Sequence, residues 1–412
     1  MSKALGMRCV WGLCGVLVSV WALASVTQAE VSTDVSGSVL VFPKVIWTGV
    51  NATDGGPSRD TVIQLSNTSN NMVHAHCFYV NGQTFQGQPI WQVTDFTIWL
   101  TRQQPTHWVA SAGRFVNPSD SFGSDGAGQD PGAIPPVPPG FSGELKCIQI
   151  DASGVPFGGN NLKGEALIRS ADGDVSKSNA VAILANPDLA AGDPANTLLL
   201  DNTPIHDGEY NACPNTLLLD HFVDGATDPV ISSLNPIWCS DDECPIRTYL
   251  TLVPCSQDFE NQEPAEVTVQ FAIVNELEQV FSASDTVTCW ETWRLADIDA
   301  PTGRCTQGGD VCLTDQQCID DNAGFCEKQS VFSLGLLGSG TAFTRISPVD
   351  LDGGVLAVAE EVHFNNLSMK GTQVSNRGTA AWNLQQAGNR YDATETVPGG
   401  PVVDAIVIPD PF

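Results

Sequence analysis

Met72-Val-His-Ala-His-Cys-Phe-Tyr-Val-Asn81 is the most continuous strand-like run in the chain, dense in β-branched and aromatic residues. An altered version returns as Glu266-Val-Thr-Val-Gln-Phe-Ala-Ile-Val-Asn275. Both runs read as central strands, each with a sandwich of shorter strands around it. In the first half those are Ser38–Phe42, Thr61–Leu65, Asp95–Leu100 with His107–Ala110, Glu144–Ile150, Leu162–Ile168 and Asn179–Leu184. Turn-forming clusters separate them, including Asp54-Gly-Gly-Pro57 and Asn67-Thr-Ser-Asn-Asn71.

The second half follows the same plan. Thr61–Leu65 corresponds to Thr248–Leu252, Val80-Asn81 to Val274-Asn275, Phe96–Trp99 to Val287–Trp290, and Ile150 to Ile346. Four matches in one order point to an internal duplication. The expected fold is therefore all-β, with two tandem immunoglobulin-like β-sandwiches over residues 30–185 and 213–400. A Pro/Asp/Asn-rich linker, 186–212, joins them, and an apolar tail, 401–412, follows. In this alignment Cys77 falls opposite Phe271 and Cys147 opposite Phe343, so both cysteines are replaced together by large apolar residues. That is the signature expected of a Cys77–Cys147 bridge. The long loop 116–140 and the cysteine-rich stretch 301–328 interrupt the same position in each half, where insertions commonly carry binding.

Residues 1–29 read as a secretion signal. Lys3 and Arg8 precede the apolar run Val10–Val26, and Thr27-Gln28-Ala29 offers a small-residue cleavage site. No later apolar run is long enough to span a bilayer, so the expected product is exported, to the cell surface, the medium or the periplasm. The formal net charge of -29 opposes binding to nucleic acid or an anionic membrane, both of which require basic patches. With 42% hydrophobic and 16% charged residues, the chain is nevertheless a folding sequence and not a disordered polyelectrolyte.

Of 13 cysteines, Cys9 and Cys14 lie in the signal, which leaves an odd number and at least one without an intramolecular partner. Cys305-x6-Cys312-x5-Cys318-x7-Cys326 is the most specific local pattern. It lacks the close Cys-x2–4-Cys pairs of zinc sites, and in an exported chain it implies two disulfides. Cys239 and Cys244 bracket a small acidic loop and read as another bridge. Among Cys213, Cys255 and Cys289, the first expectation is a Cys255–Cys289 pair. The 305–326 segment resembles the short four-cysteine modules of extracellular bacterial proteins, which implies an exposed module and no particular activity. The chain as a whole resembles uncharacterised secreted bacterial β-sandwich proteins.

Candidate ligand-binding residues are few. His74 and His76 alternate along a strand and leave the same face, and His107 is the third residue that would complete a copper or zinc site; surface histidines are the plainer reading. Asp350 and Asp352 sit in a partial calcium loop, as does the Asp172-Gly-Asp174 turn; ordinary turn usage is the plainer reading, so no cofactor is expected, with structural calcium as the alternative. Trp47, Trp91 and Trp108 would stack on sugar rings if exposed and fill the core if not. There is no Gly-x-Ser-x-Gly, His-Glu-x-x-His or phosphate-binding Gly-Lys-Ser/Thr. The expected function is thus a non-enzymatic structural or interaction protein of the cell surface, matrix or an appendage, acting through protein partners or self-assembly. Carbohydrate binding is the alternative, and a metal-dependent enzyme or copper protein comes third.

Overall fold

The structure is a computed structural model that describes residues 31–49, 58–85, 88–116, 130–186, 196–200, 209–229, 245–300, 302–328, 330–349, 353–369, 372–389 and 404–409. The secretion signal, the Cys239–Cys244 loop and Asp350 and Asp352 lie outside the described residues.

Val73–Asn81 is the central strand of the first half, paired antiparallel with Gln92–Leu100 on one side and Phe141–Ile150 on the other. The layer continues through Val39–Trp47 to Val181–Ile183. A second layer runs Pro105–Val109, Arg59–Asn67, Leu162–Ser170, Val175–Asn179. One pairing, Trp47 with Asp60, joins the layers along an edge. In the second half one layer runs Val280–Thr288, Glu266–Asn275, Thr341–Pro348, Pro214–Phe222, Gln385–Asn389. Its partner layer runs Glu291–Arg294, Ile246–Pro254, Val355–Met369, Thr372–Asn383. The fold is all-β, and the order of strands in the second half repeats that of the first, position for position. Relative to the immunoglobulin constant arrangement, the first strand and the strand after the sixth have exchanged layers: Val39–Trp47 pairs with Phe141–Ile150, and Leu162–Ser170 with Arg59–Asn67.

Each half encloses its own core. Ile63, Leu65, Ala75, Tyr79, Ile98 and Trp108 fill the first, and Leu250, Leu252, Phe271, Ile273, Phe332 and Ala359 the second. A third core explains why the Met72–Asn81 run looks continuous and not alternating. Val73, Ala75, Cys77 and Tyr79 face the first core, while Phe78 and Val80 point to the opposite face. That face is covered by Val253, Phe259, Trp290 and Leu356 of the second half. A strand buried on both faces loses the apolar–polar alternation. Each large side chain so covered contributes roughly 1.5–3 kcal/mol relative to exposure, so the halves are packed against each other and not strung on a tether.

The described parts of the expected linker and tail belong to this junction. Thr197–Leu200 pairs antiparallel with Asp404–Val407, which also pairs in parallel with Gln257–Asp258. Leu198, Leu200, Tyr210, Ile406 and Ile408 are buried in the shared core. The described part of the tail is therefore paired within its own chain.

Candidate interaction surface

The cysteine-rich insertion folds as a small knob. Gly303–Cys305 pairs with both Val311–Cys312 and Cys326–Lys328, and the short helix Asp315–Asp320 closes one side. Disulfides join Cys305 to Cys318 and Cys312 to Cys326, and the four cysteines are themselves the module's buried centre. Donor atoms of Cys305, Cys312 and Cys318 come within 4.8 Å of one another. Their sulfurs are consumed by the bridges, so they offer no thiolate to a metal.

Two arginines of the second sandwich clamp the knob. The Arg247 guanidinium forms an ion pair with Asp315 and lies 5.1 Å from the ring centre of Phe325 and 5.2 Å from that of Phe364. Arg294 donates to both Asp224 oxygens at 2.5 and 2.6 Å and lies 3.6 Å from Asp315. Asp315 in turn accepts the Cys326 N–H at 2.8 Å. Held this way, the knob and the adjoining turn expose an unusual share of apolar side chains. Val311 is 68% exposed, and Leu313, Ile319, Leu334 and Leu336 are also open to solvent. A cavity of about 430 Å³ lies between the knob and the turn, lined by Arg304, Val311, Glu327 and Leu336 among others. Acidic Asp310, Asp320 and Asp321 belong to the same knob segment.

The sequence-predicted metal set does not assemble. The His74 ring stacks on Trp99 at 3.7 Å, and its Nδ1 is 3.1 Å from the Asp151 carbonyl; burial pushes its pKa below the ordinary imidazole value. His76 Nε2 is 2.9 Å from an Asp95 carboxylate oxygen. His107 sits on Pro105–Val109, in the other layer. Among the described residues none of the three belongs to a group of at least three donors within 4.8 Å of one another. The reason is topological: alternate positions on one strand share a face, but the third residue lies in the opposite layer.

The sugar-stacking set is likewise corrected. Trp108 is in the first core and donates its indole N–H to the Tyr79 hydroxyl at 2.5 Å. Trp47 packs half-buried on that core. Trp91 stacks on Phe259 across the junction of the halves, with ring centres 6.3 Å apart. The Asp172–Asp174 turn serves the junction too: Asp174 accepts the Thr379 backbone N–H at 3.0 Å.

Cysteine pairing outside the knob shows one further correction. Cys77 and Cys147 are directly opposite on neighbouring strands and are bridged. Cys255 pairs with Cys213, not with Cys289, and Cys289 is a buried free thiol. Cys289 lies at the junction, where it and Cys255 share a core with Trp290, whose indole N–H donates 2.7 Å to the Pro43 carbonyl.

The sequence reading missed the charges inside this junction. Glu360 is nearly fully buried and accepts from Lys44 at 2.7 Å, from Arg59, and from Ser176 at 3.2 Å, all in the other half. Burial would raise its pKa, but the two cations outweigh that and hold it down at about 2. Lys146, Glu144 and Gln257 form a second buried group. The available signal was a charge set within an otherwise apolar strand, as in Val39-Leu-Val-Phe-Pro-Lys-Val-Ile-Trp47.

A cavity of about 540 Å³ opens in the second half beside Asp220, Phe222, Glu276, Phe343 and Glu361. His363 is clamped at 2.7 Å by both Asp228 and Glu361, which raises its pKa, with the Glu361 bond the larger cause. No helix among the described residues is long and apolar enough to cross a membrane. No family model matches the chain, and no curated protein does either. Among solved structures, the adhesive subunit CfaE of the CFA/I fimbria of enterotoxigenic Escherichia coli is 9% identical, covering 80% of this chain and 79% of its own, with a TM-score of 0.11. A score that low carries no argument about fold or function.

Proposed function

We propose that this protein is an exported structural or interaction protein, in which two coupled sandwiches present the cysteine-bridged knob to a protein partner at the cell surface or in the matrix. One observation carries the reading. Five exposed apolar side chains lie on the knob and the adjoining turn, Val311 and Leu336 lining one cavity between them, and the knob itself is held by two disulfides and by Arg247 and Arg294. Apolar groups fixed in solvent lose little entropy when a partner covers them, which is the property of a binding centre. Asp310, Asp320 and Asp321 are close to exposed apolar residues in the sequence of the knob, and their charge favours a partner with basic groups. Four disulfides among the described residues suit an oxidising compartment outside the cytosol. The sugar-binding and copper readings are less favoured, because Trp108 is buried in the core, Trp47 and Trp91 are partly buried against the cores, and the three histidines do not meet.

The test is a double charge substitution, Val311→Asp with Leu336→Asp, in the secreted full chain. Both side chains are exposed, so the melting temperature stays within a degree or two of the wild type. Retention on the producing cells or their matrix, measured by quantitative blotting of washed cells against medium, falls at least about tenfold, equivalent to roughly 1.4 kcal/mol of binding. Equal retention of the folded variant and the wild type would sink this reading.

A further inference from the structure

We propose that Lys146 and Gln257 condense into an intramolecular isopeptide bond, with Glu144 moving the proton, so that the two halves become covalently joined. Glu144 and Lys146 lie two apart on Phe141–Ile150 and share its outward face with Ile148 and Ile150, which belong to the core between the halves. Gln257 reaches them from the second half, on the short strand that pairs with the C-terminal tail. All three side chains are withdrawn from solvent.

Their arrangement brings an amine, an amide carbonyl and a carboxylate into mutual contact. Lys146 Nζ lies 2.5 Å from Gln257 Oε1. A carbonyl carbon is only about 1.2 Å from its oxygen, so the amine is within about 3.7 Å of Cδ, close to the separation from which reaction proceeds. One carboxylate oxygen, Glu144 Oε1, accepts from Lys146 Nζ at 2.9 Å and also from Gln257 Nε2. It thus bridges the nitrogen that must lose a proton and the nitrogen that must gain one. Pro254 O, 3.4 Å from Nζ, completes the amine's surroundings.

A buried ion pair that only held the halves in register would need no amide facing the amine carbonyl-first, with its nitrogen on the same carboxylate oxygen. Burial also favours the reactive forms: it lowers the Lys146 pKa and raises that of Glu144, against the attraction of each for the other. In the step, the Nζ lone pair forms a bond to Cδ and the Cδ–Nε2 bond breaks. Glu144 takes one proton from Nζ and delivers one to the leaving nitrogen, which departs as ammonia. No electrons change hands and no co-reactant is needed. Water, which would hydrolyse the amide instead, is excluded.

The test is mass spectrometry of the folded, secreted full chain. Loss of one ammonia lowers the intact mass by about 17 Da, because the amine displaces the amide nitrogen. Digestion then releases one branched peptide joining Lys146 to Gln257. Lys146→Arg keeps a cation but no acylatable primary amine, and Gln257→Leu removes the electrophile; each shows the full mass and no branched peptide. Glu144→Gln preserves shape and slows bond formation by at least about 100-fold on the scale of proton-transfer catalysis. A folded wild-type chain with intact Lys146 and Gln257 peptides overturns the proposal, as does a mass loss mapped to any other residue. A Glu144→Gln chain that cross-links at the wild-type rate overturns the assigned role of Glu144.

Discussion

The two halves solve one packing problem in two ways. In each, the central strand ends on an asparagine, Asn81 opposite Gly143 and Asn275 opposite Ala342. Counting back from that shared end, the Cys77–Cys147 bridge of the first half occupies the place of Phe271 and Ile346 in the second, also directly opposed and also fully buried. The neighbouring layer agrees. Ile63 lies between Trp108 and Ala166, and Leu250 between Trp293 and Ala359. The same site in the same strand order accepts a covalent cross-link or an aromatic–aliphatic pair. The lattice of paired strands sets the position, and the chemistry that fills it is interchangeable.

The largest expected effect comes from breaking the bridge. Cys77→Ala with Cys147→Ala removes a link that closes a 70-residue separation and should cost about 4 kcal/mol of unfolding free energy. Cys77→Phe with Cys147→Ile copies the second half's pair into the first. Chemical denaturation should show this swap recovering more than half of the loss. If the swap is no better than the alanine pair, the two sites are not equivalent in packing, only in topology.

Next is the charge that couples the halves. Glu360→Gln leaves Lys44 and Arg59 buried without their anion and should cost about 3 kcal/mol, as expected when one partner of a buried ion pair is removed. The pH dependence has a fixed sign. A carboxylate whose folded pKa is depressed from 4.5 to about 2 stabilises the fold fully above its unfolded value. That stability is lost as pH falls from about 4.5 towards 2. Wild-type acid unfolding should therefore steepen in that window, and Glu360→Gln should flatten it. Identical acid titrations for the two chains would show that Glu360 does not couple the halves.

How much of this was legible depends on which forces leave a local mark. The central strands, the equivalence of the two inserted loops and the knob's cysteines were all visible, because β patterning and cysteine spacing are local. Register was not. Matching Ile150 to Ile346 put Phe343 opposite Phe271, whereas the pairing places Ile346 there and Phe343 opposite Val274. The error is three residues, an odd number, so it moves a side chain to the other face of the sheet. It also matched Trp290 to Trp99, when Trp293 stands where Trp108 does. The candidate ligand sites failed for a related reason: nothing in the sequence says that His107 is in the opposite layer, or that the outer face of Val73–Asn81 is covered by another half of the chain. The charges of the junction were printed in the strands, but the partners that reach them across it lie more than 100 residues away.

The second half differs from the first in carrying a folded knob at its enlarged loop, and Arg247 tests how independent that addition is. Arg247→Ala deletes the Asp315 ion pair and the contact with the Phe325 ring. A loss of about 2 kcal/mol should fall on the docking of the knob, since the pair is largely buried. Hydrogen exchange should rise in 302–328 while the amides of Ile246–Pro254 stay protected. Uniform deprotection of both would mean that the knob and its sandwich unfold together.

Cys289 gives the smallest effect and the sharpest local contrast. It lies at the junction beside the bridged Cys255, and burial pushes its thiol pKa far up, with Glu144 adding to the rise. A thiol so held is neither nucleophilic nor reachable. In the native chain it should stay unlabelled by a maleimide over hours, then label at once in denaturant. Cys289→Ala should cost only about 1 kcal/mol, the loss of one small buried group, and should leave the Cys213–Cys255 bridge in place by peptide mapping. Fast native labelling would mean that the junction opens, and would turn the shared core from a fixed seam into a hinge.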